Sequence, residues 1–332
     1  MADAPGFKIA LKRGALVAGA NWPLVVVQFI ADATLKLLLA VPIVGGIFLV
    51  VLLLDADVEA LLAGDISDIV GALMTAFRQN PAALSLFVAG FLVVLAGGSA
   101  LSFVVKAGTV AVLVDAEAAA GAIERPPVRL HALRRANRTE IERFLAGCRR
   151  LWKRYLKLGA CLIAVYGIGV VYVALLIRGV AFADDVGLLL GWTVGVAVSS
   201  SVLIVWITLI NFFYLMTQLV MAVEDVGVRT AMRRVVRFLR VSLREVAAIF
   251  GVVLILVVVA TVASILGTAG LGLISFVPVV ALVVLPLQLA AWLLRGFVFQ
   301  YLALTALGAY LTQYRYYLRG APLAAVPGQR LA

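Results

Sequence analysis

The chain predicts an all-α, polytopic membrane protein with six transmembrane helices, and three observations carry that expectation. First, its 332 residues are 64% hydrophobic and only 14% charged. In a water-soluble domain that composition would leave large apolar patches exposed. Second, apolar runs follow one another from Leu158 to Ile177, Val186 to Val223, Val246 to Leu266 and Leu271 to Leu294. Each is long enough to cross a hydrocarbon layer of ~30 Å at about 1.5 Å per residue. Third, the segments between the runs alternate in charge. The spans are helical because lipid offers no partner to an open backbone N–H or C=O.

At the N-terminus, Lys8, Lys12 and Arg13 precede an apolar stretch that ends in Ala31-Asp32-Ala33, a loose match to a signal-peptidase site. Asn21, Pro23 and Gln28 interrupt that stretch and a second apolar run, Leu37 to Leu54, follows directly, so the segment reads as retained. Residues 14–31 are either the lead-in to one long helix or a crossing of their own, which would make seven spans. Trp22 at an interfacial position and the lack of a Gly or Pro turn between 31 and 37 favour the lead-in.

Six crossings are predicted at 24–54, 82–113, 158–178, 187–218, 246–267 and 272–308. Between them, residues 55–80 hold Asp55, Asp57, Glu59, Asp65 and Asp68 against Arg78, and 179–186 hold Asp184 and Asp185. By contrast, residues 114–157 hold eleven Lys or Arg against five acids, 224–245 hold six Arg against three, and the tail has Arg315, Arg319 and Arg330 with no acid. This bias predicts cytoplasmic N- and C-termini and cytoplasmic long loops; the membrane is expected to be a bacterial inner membrane. The net charge of +11 is then a membrane-topology signature, with no nucleic acid expected as partner.

The resulting hairpins look like three copies of one unit within a single membrane domain, 1–332, at 8–121, 140–225 and 228–318. Each would hold a basic amphipathic helix, a span, an outer turn and a longer second span. Two of the long spans exit similarly, as Val112-Leu113-Val114-Asp115-Ala116-Glu117 and Met221-Ala222-Val223-Glu224-Asp225. Any six-span protein with positive-inside loops shares some of this layout. Spans longer than 30 residues must tilt, kink or project, and Pro278 and Pro286 suggest a bend in the last one.

Two segments have the pattern of basic interfacial helices. From Glu140 to Lys157, Ile141, Phe144, Leu145, Cys148, Leu151, Trp152 and Tyr155 recur at helical spacing, with Arg149, Arg150, Lys153 and Arg154 among the residues between them. Thr139 and Glu142 suggest a capping box at the start. From Val228 to Val246, Arg229, Arg233, Arg237, Arg240 and Arg244 form one stripe at intervals of three and four. Both segments are candidate contacts for anionic membrane lipid, or for a protein partner at the cytoplasmic face.

Val223-Glu-Asp-Val-Gly-Val-Arg-Thr-Ala-Met-Arg-Arg-Val-Val-Arg-Phe-Leu-Arg240 resembles a segment of the membrane domain fused to some bacterial glycerophosphodiester phosphodiesterases, and of related stand-alone multi-span proteins. Glu224, Gly227, Ala231 and Arg234 match that family's pattern, and Val235 stands where the family usually has Ser. The resemblance implies a membrane-embedded helical domain. It does not bring the phosphodiesterase activity, whose metal ligands have no counterpart in a chain with one histidine, His131.

Charges inside apolar runs are costly and point to sites. Asp32 and Lys36, spaced i, i+4 with the acid first, are a candidate ion pair. Lys106 and Arg295 occupy comparable places in the second and sixth spans, and with Gln288 and Asn211 they are a candidate intramembrane polar site. The competing reading is snorkelling plus interhelical hydrogen bonds, which needs no ligand. Gly191, Gly195 and Ser199 predict close helix approach in the fourth span.

No acid follows Glu245, which argues against a carboxylate relay for protons or sodium. Nucleotide-binding and hydrolase motifs are absent. Cys148 and Cys161 have no neighbouring His to complete a zinc site. The sequence therefore predicts a non-enzymatic scaffold or accessory module with no metal and no cofactor. The alternative is a transporter, channel or lipid-handling protein with a cationic intramembrane site for an anionic ligand.

Overall fold

The computed structural model describes residues 6–54, 80–125, 127, 130–180, 186–274 and 278–320. The acidic outer turns, with Asp57 and Asp184, and the tail beyond 320, with Arg330, lie outside the described residues. Eight helices and no strand occur among them: α1 (Phe7–Ala20), α2 (Trp22–Leu54), α3 (Pro81–Ala119), α4 (Leu130–Ala136), α5 (Ile141–Val180), α6 (Val186–Glu224), α7 (Val228–Ile274) and α8 (Pro278–Gly320). Six of these, all but α1 and α4, are long and apolar enough to cross a membrane. The chain is a multi-pass integral membrane protein.

The spans outrun the hydrocarbon. α5 has 40 residues and α8 has 43, about 60 Å each at 1.5 Å per residue, roughly twice the ~30 Å apolar layer. α5 runs without a break from its basic segment into its span. A separate interfacial helix was expected there. No Gly, Pro or turn residue interrupts 150–158, and Leu151, Tyr155 and Leu158 continue one buried face, so nothing stops the helix from propagating. α7 does divide, at Ser242, whose φ of −117° and ψ of 29° are non-helical. The α1–α2 junction at Asn21 is a matching break at the start of the chain. Pro278 begins α8, where its missing N–H and fixed φ cost nothing. Pro286 alone lies in the helix interior.

Two compact units divide the chain, residues 30–105 and the remainder. In the smaller, Asp32 and Lys36 form the expected ion pair at 2.7 Å, with both side chains exposed. Gly46 lies beneath the Phe87 ring and Gly98 beneath Leu35, where a side chain would collide.

In the larger unit the core sits at the basic end of the helices. Tyr155, Leu113, Leu219, Phe238, Leu311 and Tyr314 are fully buried. The apolar halves of the same helices expose Val170, Val198 and Val259, which lipid can cover without hydrophobic cost. Two crossings bring backbone against backbone. A Cβ added to Gly14 of α1 would lie 2.6 Å from the Ala309 nitrogen of α8, and one on Gly308 would lie 2.9 Å from the Gly14 Cα. In the same way, a Cβ on Gly147 of α5 would lie 2.6 Å from that of Ala111 in α3. The predicted small-residue ladder does not act this way. Gly191 and Gly195 have no atom within 4 Å of an added Cβ, and Gly195 lines an open groove with Tyr172 and Trp206.

Candidate functional site

The basic end is organised around two carboxylates that close long spans. Glu117 lies in the last turn of α3 and Glu224 is the last residue of α6. An acid at a helix C-terminus faces the negative end of the dipole, so each needs cations from elsewhere. Arg13 of α1 supplies a fork: its Nε meets Glu117 Oε1 at 3.0 Å, Nη1 meets Glu124 at 2.8 Å and also donates to the Gly121 carbonyl, and Nη2 donates to the Glu117 carbonyl at 3.1 Å. Arg315 of α8 meets the second Glu117 oxygen at 2.6 Å and donates to the Val114 carbonyl at 2.8 Å. Glu117 is buried, and its charge is shared by two guanidinium groups from distant helices.

Glu224 is handled in the same manner. It pairs with Arg234 of α7 and accepts from the Tyr314 hydroxyl of α8. Its neighbour Asp225, at a φ of 53° that Asp tolerates better than most residues, pairs with Arg154 of α5 at 2.7 Å. The similar exits of the second and fourth spans are legible in the sequence. The partners Arg13 and Arg315 are not, because each comes from a helix remote in the chain, whereas Arg234 lies in the helix that follows Glu224 directly.

Asn21, fully buried at the α1–α2 break, is a second organiser. Its amide donates to the carbonyls of Val17 and Ala136 at 2.9 Å each. Its oxygen accepts from the Arg138 N–H at 2.9 Å and the Thr139 hydroxyl at 3.0 Å. The Thr139 hydroxyl thus serves Asn21 instead of capping α5, and Glu140 takes the capping place through its carbonyl to Phe144 N–H at 3.0 Å. Deeper in, Gln28 donates to Thr109 at 2.6 Å.

The four residues expected to share an intramembrane site lie on three helices, Lys106 in α3, Asn211 in α6, and Gln288 and Arg295 in α8. Lys106 is half-buried with its ammonium 5.7 Å from the centre of the Tyr214 ring. Asn211, one turn from Tyr214, accepts from the Tyr166 hydroxyl at 2.5 Å. Arg295 is exposed and lies over Phe299 of its own helix at 5.7 Å, and Gln288 is half-buried two turns earlier. The polar stripe of α6 is met by tyrosines of α5: Tyr155 donates to the Gln218 carbonyl at 2.9 Å, and the Tyr172 hydroxyl lies 2.6 Å from Ser199 Oγ and 3.2 Å from Ser200 Oγ. The hairpin is cross-linked by hydrogen bonds along much of its length. Of these tyrosines, Tyr155 reads in the sequence as part of an apolar helix face.

The arginine stripe of α7 differs from both networks. Arg229, Arg233, Arg237, Arg240 and Arg244 are all exposed, while Arg234, outside the stripe, turns inward to Glu224. On α5, Arg149 and Arg150 are exposed, Lys153 lies 5.5 Å from the Trp152 ring centre, and Arg154 is committed to Asp225. Among the described residues no group of His, Cys, Asp and Glu is placed to hold a metal ion. Comparison with known proteins finds no matching family model, no matching curated protein and no matching solved structure.

Proposed function

We propose that this integral membrane protein is a non-enzymatic scaffold or accessory module of the bacterial inner membrane, with both termini cytoplasmic, whose basic helices hold anionic lipid at the inner face. The observation that carries this reading is the division of labour among the cations. Arg13, Arg154, Arg234 and Arg315 are consumed by the acids at the span exits, whereas the five stripe arginines of α7 point outward with no carboxylate on them among the described residues. Beside the stripe, Met232, Val236 and Leu243 are exposed, so that one helix face offers an apolar edge and a cationic edge together. That combination suits the boundary between acyl chain and phosphate.

Lys106 lies 5.7 Å from the Tyr214 ring centre and Arg295 lies 5.7 Å from the Phe299 ring centre, contacts that the scaffold reading accounts for without an anionic ligand. A cation near an anionic surface contributes about 1 kcal/mol at most, or roughly fivefold in affinity, screened by salt. The Arg233→Gln/Arg237→Gln protein should therefore fold and remain monodisperse but retain fewer anionic lipids in native mass spectrometry. Unchanged retention would remove the lipid role of the stripe.

Orientation is tested separately, in a protein whose Cys148 and Cys161 are replaced by Ala. A single cysteine at Asp57 or Asp184 is expected to react with an impermeant reagent applied from outside, and one at Arg135 or Arg237 to stay protected until the membrane is opened. Reaction of both sets from the same side would overturn the six-span topology.

A further inference from the structure

Between the end of α3 and the short helix α4 lies a cleft of about 260 Å³, lined by Ala120, Gly121, Ile123, Arg125, His131 and Arg135 among others. We infer that this cleft is a binding site for a phosphomonoester dianion, separate from the arginine stripe of α7. Three observations lead to it.

The first is the charge of the walls. Arg125 and Arg135 are exposed and line the cleft, Arg135 donates to His131 Nε2 at 3.2 Å, and no carboxylate is among the described lining residues. The acids close by in sequence are already paired: Arg13 holds Glu117 and Glu124, Arg315 also holds Glu117, and Arg143 holds Glu140. The cationic groups of the cleft therefore face it uncompensated, in a stretch of chain where acids stand close by. Two guanidinium forks and an imidazole supply donors that match the several acceptor oxygens of a phosphate.

The second is preorganisation. Each wall is anchored to a polar side chain of the α1 region, the half-buried Arg13 or the fully buried Asn21. The wall at 120–125 is tied down by Arg13 through Gly121 and Glu124, and Gly121 makes the turn there with a φ of 59°. The α4 wall is tied down by Asn21 through the carbonyl of Ala136 and the N–H of Arg138. Two anchors on one rigid segment hold the mouth of the cleft at a fixed width, so a ligand is not required to order the loop.

The third is the shape. The floor is small and apolar, with Ala120 and Ile123 buried and Ala132 beside them. It leaves space for a compact anion without displacing a side chain. A free phosphate ion and the phosphomonoester headgroup of phosphatidic acid present the same dianionic oxygens, and the site lies just past the exit of a span.

Inorganic phosphate titrated calorimetrically into the full-length protein in neutral detergent, and native mass spectrometry with phosphatidic acid or phosphatidylglycerol, together test the site. Wild-type protein is expected to bind phosphate or to retain phosphatidic acid over the diester phosphatidylglycerol. Binding of both phosphate and phosphatidic acid identifies a site for the dianion itself; retention of phosphatidic acid alone identifies a headgroup site. Arg125→Gln/Arg135→Gln should weaken the interaction by about tenfold or more, as loss of charge-assisted hydrogen bonds does. Ala132→Asp, which removes no arginine and adds a like charge to the ligand, should do the same. Arg233→Gln/Arg237→Gln should lower retention of both lipids alike but leave phosphate binding and the preference for phosphatidic acid over phosphatidylglycerol unchanged, which separates this site from the lipid role of the stripe. Absence of phosphate binding together with equal retention of the two lipids would overturn the site, as would cleft variants that are monodisperse and bind like wild type.

Discussion

Replacing Glu117 by Gln is expected to destabilise the protein by roughly 3–5 kcal/mol, the range for removing one partner of a buried ion pair. The carboxylate sits between Arg13 and Arg315, and it is buried while those side chains are largely shielded. Gln keeps the shape but leaves two guanidinium groups facing one another with only Glu124 to balance them. The measurement is thermal unfolding in detergent, followed by size-exclusion chromatography. Arg315→Gln added to Glu117→Gln should recover part of the loss, because it restores neutrality. A single-variant loss below about 1 kcal/mol, typical of an exposed pair, would show that water reaches the cluster and screens it. The double variant is informative even if Glu117→Gln alone is poorly expressed, since its expected gain is relative to that protein.

Some of this architecture is legible in the residues and some is not, for identifiable reasons. Six apolar stretches announce themselves because 18 or more residues without charge have few alternatives to spanning a bilayer. The Asp32–Lys36 pair is legible because both partners lie on one helix turn. Glu117 and Glu224 are recognisable as a recurring exit, but nothing local says that Arg13 and Arg315 converge on the first and Arg234 and Tyr314 on the second. Arg13, Arg315 and Tyr314 reach these acids from helices far apart in the chain, and Arg234 reaches Glu224 across a turn between two helices; sequence periodicity reports only what happens within a helix. The same limit applies to Asn211, whose hydroxyl partner Tyr166 lies on another helix, α5. Ser242, too, looks like an ordinary helical position in the sequence. His131 reads as a solvated loop residue; Arg135 is its i, i+4 neighbour on α4, and only the folding of the 120–125 segment beside α4 brings Arg125 to them.

Glycine spacing shows the same limit in a form that yields a sharp prediction. Gly191 and Gly195 fit a small-residue packing motif, and Gly14 and Gly308 belong to none that the sequence reveals, yet only the latter pair lies at a close crossing. Gly14→Ala places a Cβ 2.6 Å from the Ala309 nitrogen and against the Thr305 carbonyl, which are backbone atoms of α8 and cannot rotate away. The helices must separate. Overpacking of this kind costs about 1–3 kcal/mol, and the loss is compounded because the tilt of α1 also carries Arg13 away from Glu117 and Glu124. Gly308→Ala meets the same crossing from the other side, 2.9 Å from the Gly14 Cα, so the two substitutions together should cost more than either alone while departing from additivity. Gly195→Ala, with open space at its Cβ, should change the unfolding temperature little or raise it, because Ala is the better helix former by up to about 1 kcal/mol. Equal unfolding temperatures for Gly14→Ala and Gly195→Ala would mean that α1 does not rest on α8 through its glycine, and that the basic end is held together by the charges alone.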